Sequence, residues 1–110
     1  MSRKKGEMHE EQACAFLIDR GFEIIERNFH SRFGEIDIIA MRDGVLHIVE
    51  VKGGRGFDPI YAITPKKIQK IIQTLQYYLM INRLEIPYCI DGISICDDEI
   101  EWIENMTCWE

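Results

Sequence analysis

The sequence contains no apolar run approaching the ~20 residues that a membrane-crossing helix needs, which argues against a helical membrane protein. Its charged opening, MSRKKGEMHEEQ, leads into no apolar segment, so no secretory leader is expected and the cytoplasm is the expected compartment. The four cysteines, Cys14, Cys89, Cys96 and Cys108, include no CxxC pair, and His9, His30 and His47 stand at no ligand spacing from them. That argues against a zinc site. Cys14 lies in an apolar helical pattern, and buried free thiols in a reducing compartment are the expectation for the set. Internal repeats and low-complexity tracts are absent as well. At 110 residues the chain has room for one core, so one domain covering 1–110 is expected.

Positive charge is in deficit. Thirteen Lys and Arg oppose nineteen Asp and Glu, a formal net charge of −6, which disfavours a simple polyanion binder. The deficit is local, however. The acidic segment 97–110 carries Asp97, Asp98, Glu99, Glu101, Glu104 and Glu110 without a base, which leaves thirteen acids against thirteen bases in the rest. Within that neutral body the bases cluster as Arg3-Lys4-Lys5, Lys52 with Arg55, and Lys66-Lys67 with Lys70. Such clusters can hold a phosphate backbone, above all where a metal ion neutralises carboxylates. Solvated surface charge is the plainer reading of the same pattern.

The patterning predicts a helix over about Lys5 to Arg20, closed by Gly21, with Ala13, Phe16 and Leu17 on one stripe and Glu10 along it. A strand follows near Phe22 to Phe29, then a hairpin from Glu35 to Lys52 turning at Asp43-Gly44. Gly53 to Pro59 reads as a loop. Thr64 is a good N-cap with Pro65 at the first position of a second helix, whose buried stripe is Ile68, Ile71, Ile72, Leu75 and Leu79. Lys67, Lys70, Thr74 and Tyr77 line another face of it. Strands near Tyr88–Cys96 and Ile100–Ile103 complete a mixed α/β domain around one sheet.

A two-residue turn at Asp43-Gly44 fixes the hairpin register. Ile39 faces Ile48, Ile38 faces Val49, and continuation would set Asp37 opposite Glu50, Glu35 opposite Lys52 and Ile36 opposite Val51. Two carboxylates directly opposed on a sheet repel each other and weaken it. A hard divalent cation turns that repulsion into a binding site, because Mg²⁺ takes carboxylate oxygens, water and phosphate. Lys52, two residues from Glu50, points to the same face, and Glu10 is a candidate third carboxylate. The competing reading is a rim salt bridge between Asp37 and Lys52. His47 is expected as a packed residue on the apolar side. Tyr77, Tyr78 and Trp102 are candidates for base stacking, although core packing is the commoner role of such rings.

An Asp on one hairpin strand and Glu-x-Lys on the next resembles the PD-(D/E)xK nuclease superfamily. More closely, the chain resembles the YraN-like family of bacterial proteins, which are similar to Holliday-junction resolvases. The resemblance spans about Gly6 to Ile95. It rests on Glu10-x-x-Ala13, the L-x-x-x-G-[FY]-x-I pattern from Leu17 to Ile24, Asn28, GEIDIIA, VEVK at Val49 to Lys52, A-[VI]-T-P-x-K from Ala62 to Lys67, and Asp91. It implies a restriction-endonuclease-like αβββαβ core with a mixed central sheet flanked by helices. It further implies Mg²⁺- or Mn²⁺-dependent phosphodiester hydrolysis, with Asp37, Glu50 and Glu10 holding the ion. Lys52, kept protonated by the neighbouring carboxylates, would stabilise charge on the phosphate. Arg55, Lys67 and Lys70 would contact the nucleic acid, DNA rather than RNA, and a symmetric homodimer follows by analogy. Two positions depart from the pattern: Ile36 stands where the superfamily often has proline, and Gly54 where the family often has arginine.

Three functions remain open on sequence grounds. They are a metal-dependent nuclease acting on branched or single-stranded DNA, a non-catalytic nucleic-acid- or protein-binding member of the same fold, and a structural interaction domain with rim salt bridges.

Overall fold

A computed structural model describes residues 2–53, 64–97 and 99–109, with side-chain surroundings for 8–53, 64–97 and 99–104. The order is α1 (Ser2–Asp19), β1 (Glu23–Ser31), β2 (Gly34–Arg42), β3 (Val45–Gly53), α2 (Pro65–Ile81), β4 (Tyr88–Cys96) and β5 (Glu99–Trp109). The strands form one five-stranded sheet in the order β1-β2-β3-β4-β5. All neighbours are antiparallel except β3 and β4, whose parallel pairing requires a crossover, and α2 supplies it. This is the restriction-endonuclease-like core, a mixed sheet with a helix on each face.

The hairpin register is the expected one where the strands pair regularly. Asp43 and Gly44 both adopt positive φ, at 53° and 76°, the primed turn whose twist matches antiparallel strands. From it the pairs run Arg42↔Val45, Met41↔Leu46, Ala40↔His47, Ile39↔Ile48 and Ile38↔Val49. At α2, Thr64 caps the helix by accepting the Lys67 N–H at 3.2 Å, with Pro65 following at the first position. β5 runs beyond the expected Ile100–Ile103, because the acidic segment pairs along β4 as far as Tyr88↔Trp109.

Each face of the sheet buries its own apolar cluster. Ala13, Cys14 and Leu17 of α1 meet Phe22, Ile38, Ala40, Val49, Ile93 and Ile95. On the other face Ile71, Leu75 and Tyr78 of α2 meet Phe29, Ile36, Ile39, Leu46, Ile48 and Ile90. Thr74, expected on a face of α2 apart from the buried stripe, is itself buried, bonding the Lys70 carbonyl at 2.9 Å and the Ser31 hydroxyl at 3.4 Å. Cys14 and Cys89 are buried free thiols and Cys96 is a half-buried one.

His47 is buried, as its position on the apolar side predicts, but it is not merely packed. Its Nδ1 lies 2.6 Å from an Asp91 carboxylate oxygen, and the Cys89 Sγ stands 3.2 Å from the same nitrogen. Trp102 donates its indole N–H to Asp91 at 3.2 Å, while Phe22 meets the imidazole edge-on at 4.7 Å. His, Cys and Asp together are also a donor set for a soft metal, but here they bond one another across β3 and β4. Asp91, at 0% exposure, is thus a structural hub. Removing its carboxylate orphans buried donors on His47 and Trp102, each costing about 1–3 kcal/mol. Asp91→Ala is expected to lose at least about 2 kcal/mol in a urea titration, and Asp91→Asn, which keeps one acceptor, less than that.

Candidate functional site

The two strands part beyond Ile38↔Val49, the last regular β2–β3 pair. There the Asp37 carboxylate accepts the Val51 N–H at 2.8 Å, and the Asp37 N–H donates to Glu50 Oε2 at 3.3 Å. The opposed carboxylates therefore meet, but through bonds between side chain and backbone rather than as a ladder pair. The side-chain alternation breaks at the same point. Ile36 and Ile39 pack on the α2 side and Ile38 on the α1 side, while Val51 packs toward α1. Ile36 therefore does not share a face with Val51, contrary to a register continued past Asp37. Glu35 is likewise diverted, pairing with His30 of β1, whose Nδ1 lies 3.1 Å from its carboxylate.

Glu50 is buried to 2% exposure at the floor of a cleft of about 420 Å³. Gly34, Glu35, Asp37, Val51 and Lys52 line it from the sheet, and Thr64, Lys66, Lys67, Lys70 and Ile71 from the start of α2. Gly34 takes φ of +151° where β2 passes closest to α2, so that an added Cβ would lie 3.4 Å from the Thr74 hydroxyl. Burial, then the negative charge of Asp37 and a carboxyl–carboxyl hydrogen bond, push the Glu50 carboxyl up to about 8. At neutral pH this pair holds a proton between two acids. The donors are all oxygen and the charge is in excess, which suits a hard divalent cation such as Mg²⁺ or Mn²⁺.

Lys52 departs from expectation. Burial and the adjacent Lys67 ammonium lower its pKa, outweighing the upward pull of Glu50 and Asp37. No salt bridge joins it to either acid among the described residues, so the rim ion pair is not formed. Glu10 approaches Asp37 from the α1 side without lining the cleft. Burial and the Asp37 charge raise its pKa, opposed by a hydrogen bond from Asn28 and by Arg27, whose guanidinium lies 3.6 Å away. Its Oε1, buried and without a hydrogen bond, is the oxygen that faces Arg27 across that 3.6 Å, so the charge of Glu10 is already partly met by a guanidinium.

Lys67 and Lys70 reach the cleft, while Arg55 lies outside the described residues. Tyr78 is a core residue edge-on to Phe29, Trp102 packs half-buried against the core edge-on to Phe22, and only Tyr77 of the three candidate stacking rings is exposed. Sequence reasoning did not assign His9, whose imidazole occupies the space a side chain on Gly53 would need, beside Lys52. The adjacency of His9 to Glu10 on α1 was the available signal. Asn28, at a positive φ of 55°, is the partner of Glu10 that its place in the motif did not reveal.

The model of the uncharacterised protein family UPF0102 matches residues 9–95. The chain belongs to this family. It is similar along almost its whole length to UPF0102 proteins of Wolinella succinogenes (52% identity, covering 97% of this chain and 99% of that one) and Helicobacter hepaticus (51%, covering 96% of each). A UPF0102 protein of Nitratiruptor is 54% identical, covering 93% of this chain and 91% of its own. The family is the YraN-like one whose motifs the sequence carries, and its members share the span that builds the cleft.

The shared proton has a consequence for stability. Between pH 4.5 and about 8 the folded Glu50 keeps a proton that an unfolded glutamate has lost, so the fold loses stability as pH rises through that window. Glu50→Gln is therefore expected to raise the melting temperature in EDTA, by little near pH 4 and by several degrees at pH 8 and above. Thermal melts from pH 4 to 9 check this, and a difference independent of pH would remove the shared proton.

Proposed function

We propose that the protein is a metal-dependent nuclease that hydrolyses phosphodiester bonds in DNA, similar to Holliday-junction resolvases. The observation that carries the reading is the meeting of a buried Glu50 with a half-buried Asp37 beneath a row of lysines. A fold gains nothing from opposing two carboxylates between apolar strands, and Lys66, Lys67 and Lys70 bring more positive charge to the cleft than one shared-proton acid pair needs, which suits an anion. An ion held by Asp37 and Glu50, with Glu10 behind Asp37, would polarise the phosphate and acidify a water.

The remaining work falls to the chain. Lys67, Lys70 and the N-terminal turn of α2 at Thr64 bind phosphate oxygens, the helix end contributing its positive dipole and the Lys66 N–H, since Pro65 has none and Thr64 accepts those of Lys67 and Ile68. These contacts position the strand without reading its sequence. Lys52, between the acids and Lys67, donates to the phosphoryl oxygens as charge builds there. The Val51 N–H fixes the Asp37 carboxylate, so one acid stays oriented, and Glu50 would have to give up its proton to help hold an ion.

The test is cleavage of single-stranded, duplex, flap and four-way-junction substrates, DNA and RNA, with Mg²⁺ or Mn²⁺. Wild type is expected to cut a DNA member of the panel. Glu50→Gln should be silent, and Lys52→Ala reduced roughly 10²–10³-fold, as when one transition-state donor is lost. Calorimetry should show Mn²⁺ binding to wild type and not to Glu50→Gln. If wild type binds no metal and cuts nothing, the non-catalytic member of the fold becomes the better description. Separately, Lys67→Ala and Lys70→Ala should each weaken binding across sequences and reduce the salt-dependence slope by about 0.7–0.9.

A further inference from the structure

We infer that the hollow beside the cleft is a subsite for unpaired bases, so that the substrate carries single-stranded nucleotides next to the scissile phosphate. This rests on the reading of the cleft as a phosphate site. The hollow, of about 650 Å³, is lined by Arg32, Phe33, Gln73, Gln76, Tyr77 and Met80. It lies next to the cleft along the same two elements. Phe33 precedes Gly34 in the β1–β2 turn, and Gln73 lies one helical turn beyond Lys70, so each element lines first one chamber and then the next. From Lys67 to Tyr77 is ten helical residues, about 15 Å, room for a few nucleotides of extended strand.

Its chemistry differs from that of the cleft. Tyr77 is 36% exposed and Met80 66% exposed, while the Phe33 ring lies 6.4 Å from that of Tyr77. The Arg32 guanidinium sits 4.9 Å over the Phe33 ring, leaving a charged plane beside two aromatic faces. Gln73 and Gln76 offer amides that both donate and accept hydrogen bonds. Among the described residues no carboxylate lines the hollow, in a chain with six more acids than bases. Aromatic rings and a guanidinium stack on bases of any sequence. A base inside a duplex has both faces covered, so only an unpaired one can use them. A protein partner would use Met80 and Tyr77 but would not need the row of lysines at the far end.

Binding of fluorescein-labelled oligothymidylate to the full chain in EDTA, by anisotropy, tests this against the same strand with abasic residues and against blunt duplex. Wild type should prefer the base-bearing strand to the abasic one by about 5- to 150-fold, the range expected for one stacked base. Tyr77→Ala should lose that preference while binding the abasic strand as before, and Tyr77→Phe should keep it. Equal wild-type affinity for both strands, or no binding of either, overturns the inference. So does a Tyr77→Ala variant that weakens both strands alike, or one that leaves them unchanged and dissociates a dimer in sedimentation. The same assay separates this from the cleft: Lys67→Ala should weaken both strands equally. A base preference that Tyr77→Ala abolishes, in a protein that cuts nothing with Mg²⁺ or Mn²⁺, would retire the hydrolytic reading and leave the base subsite standing.

Discussion

The Asp37 carboxylate accepting the Val51 N–H is the bond on which the functional end of the molecule depends. A backbone donor in a buried strand must be satisfied, and normally the neighbouring strand satisfies it. Here a side chain does so, and β2 is freed from β3. From that exchange follow the break in alternation that sends Ile36 toward α2, and the space in which Glu50 stands beside Asp37. Two helices on opposite faces then close on the gap. α1 brings Glu10 and His9, and α2 brings three lysines and a capped N-terminus.

The opposite end of the sheet has another character. Arg42 bonds the Arg20 carbonyl at 3.2 Å and Glu104 at 3.0 Å, and its guanidinium lies 4.3 Å over the Phe22 ring and 5.2 Å over Trp102. It thereby joins the end of α1, the hairpin and β5. One layer in, His47, Cys89, Asp91 and Trp102 satisfy one another across three strands. Polar groups that are mutually bonded and dry fix register, whereas the carboxylates of the cleft are held in an excess that only a proton or a cation relieves. Both sets are buried acids in one sheet, and the difference in their partners separates structure from site.

Most of the architecture was legible because it rests on local rules. The Asp43-Gly44 turn fixed the hairpin register to the residue, and Thr64-Pro65 fixed the start of α2. Those rules end where Asp37 leaves the ladder, since period-two alternation cannot anticipate a side chain that replaces a backbone partner. For the same reason Asp37 and Glu50 could be brought together from sequence while Glu35 and Lys52 could not. The direction of the Lys52 pKa was misjudged because the sequence shows its near neighbours, Glu50 and Asp37, but neither its burial nor Lys67, which arrives from another element. His47 and Asp91 are far apart in the chain, and nothing local marks them as a pair. The length of β5 was obscured by its charge, which reads as a solvated tail although the backbone pairs along β4.

The proton held between Asp37 and Glu50 alters the electrostatic balance of the cleft before any ion arrives. With Glu50 neutral at physiological pH, the lysines of α2 outnumber the ionised acids along the walls, and the cleft presents a positive field to a polyanion. Under the proposed function a strand would therefore be able to dock first, its phosphate supplying negative charge and an oxygen that favour a cation. A divalent cation held by the two acids would take the place of the proton, so the cleft would gain one unit of charge rather than two. Substrate and ion would then favour each other's binding, with one glutamate proton as the exchanged particle.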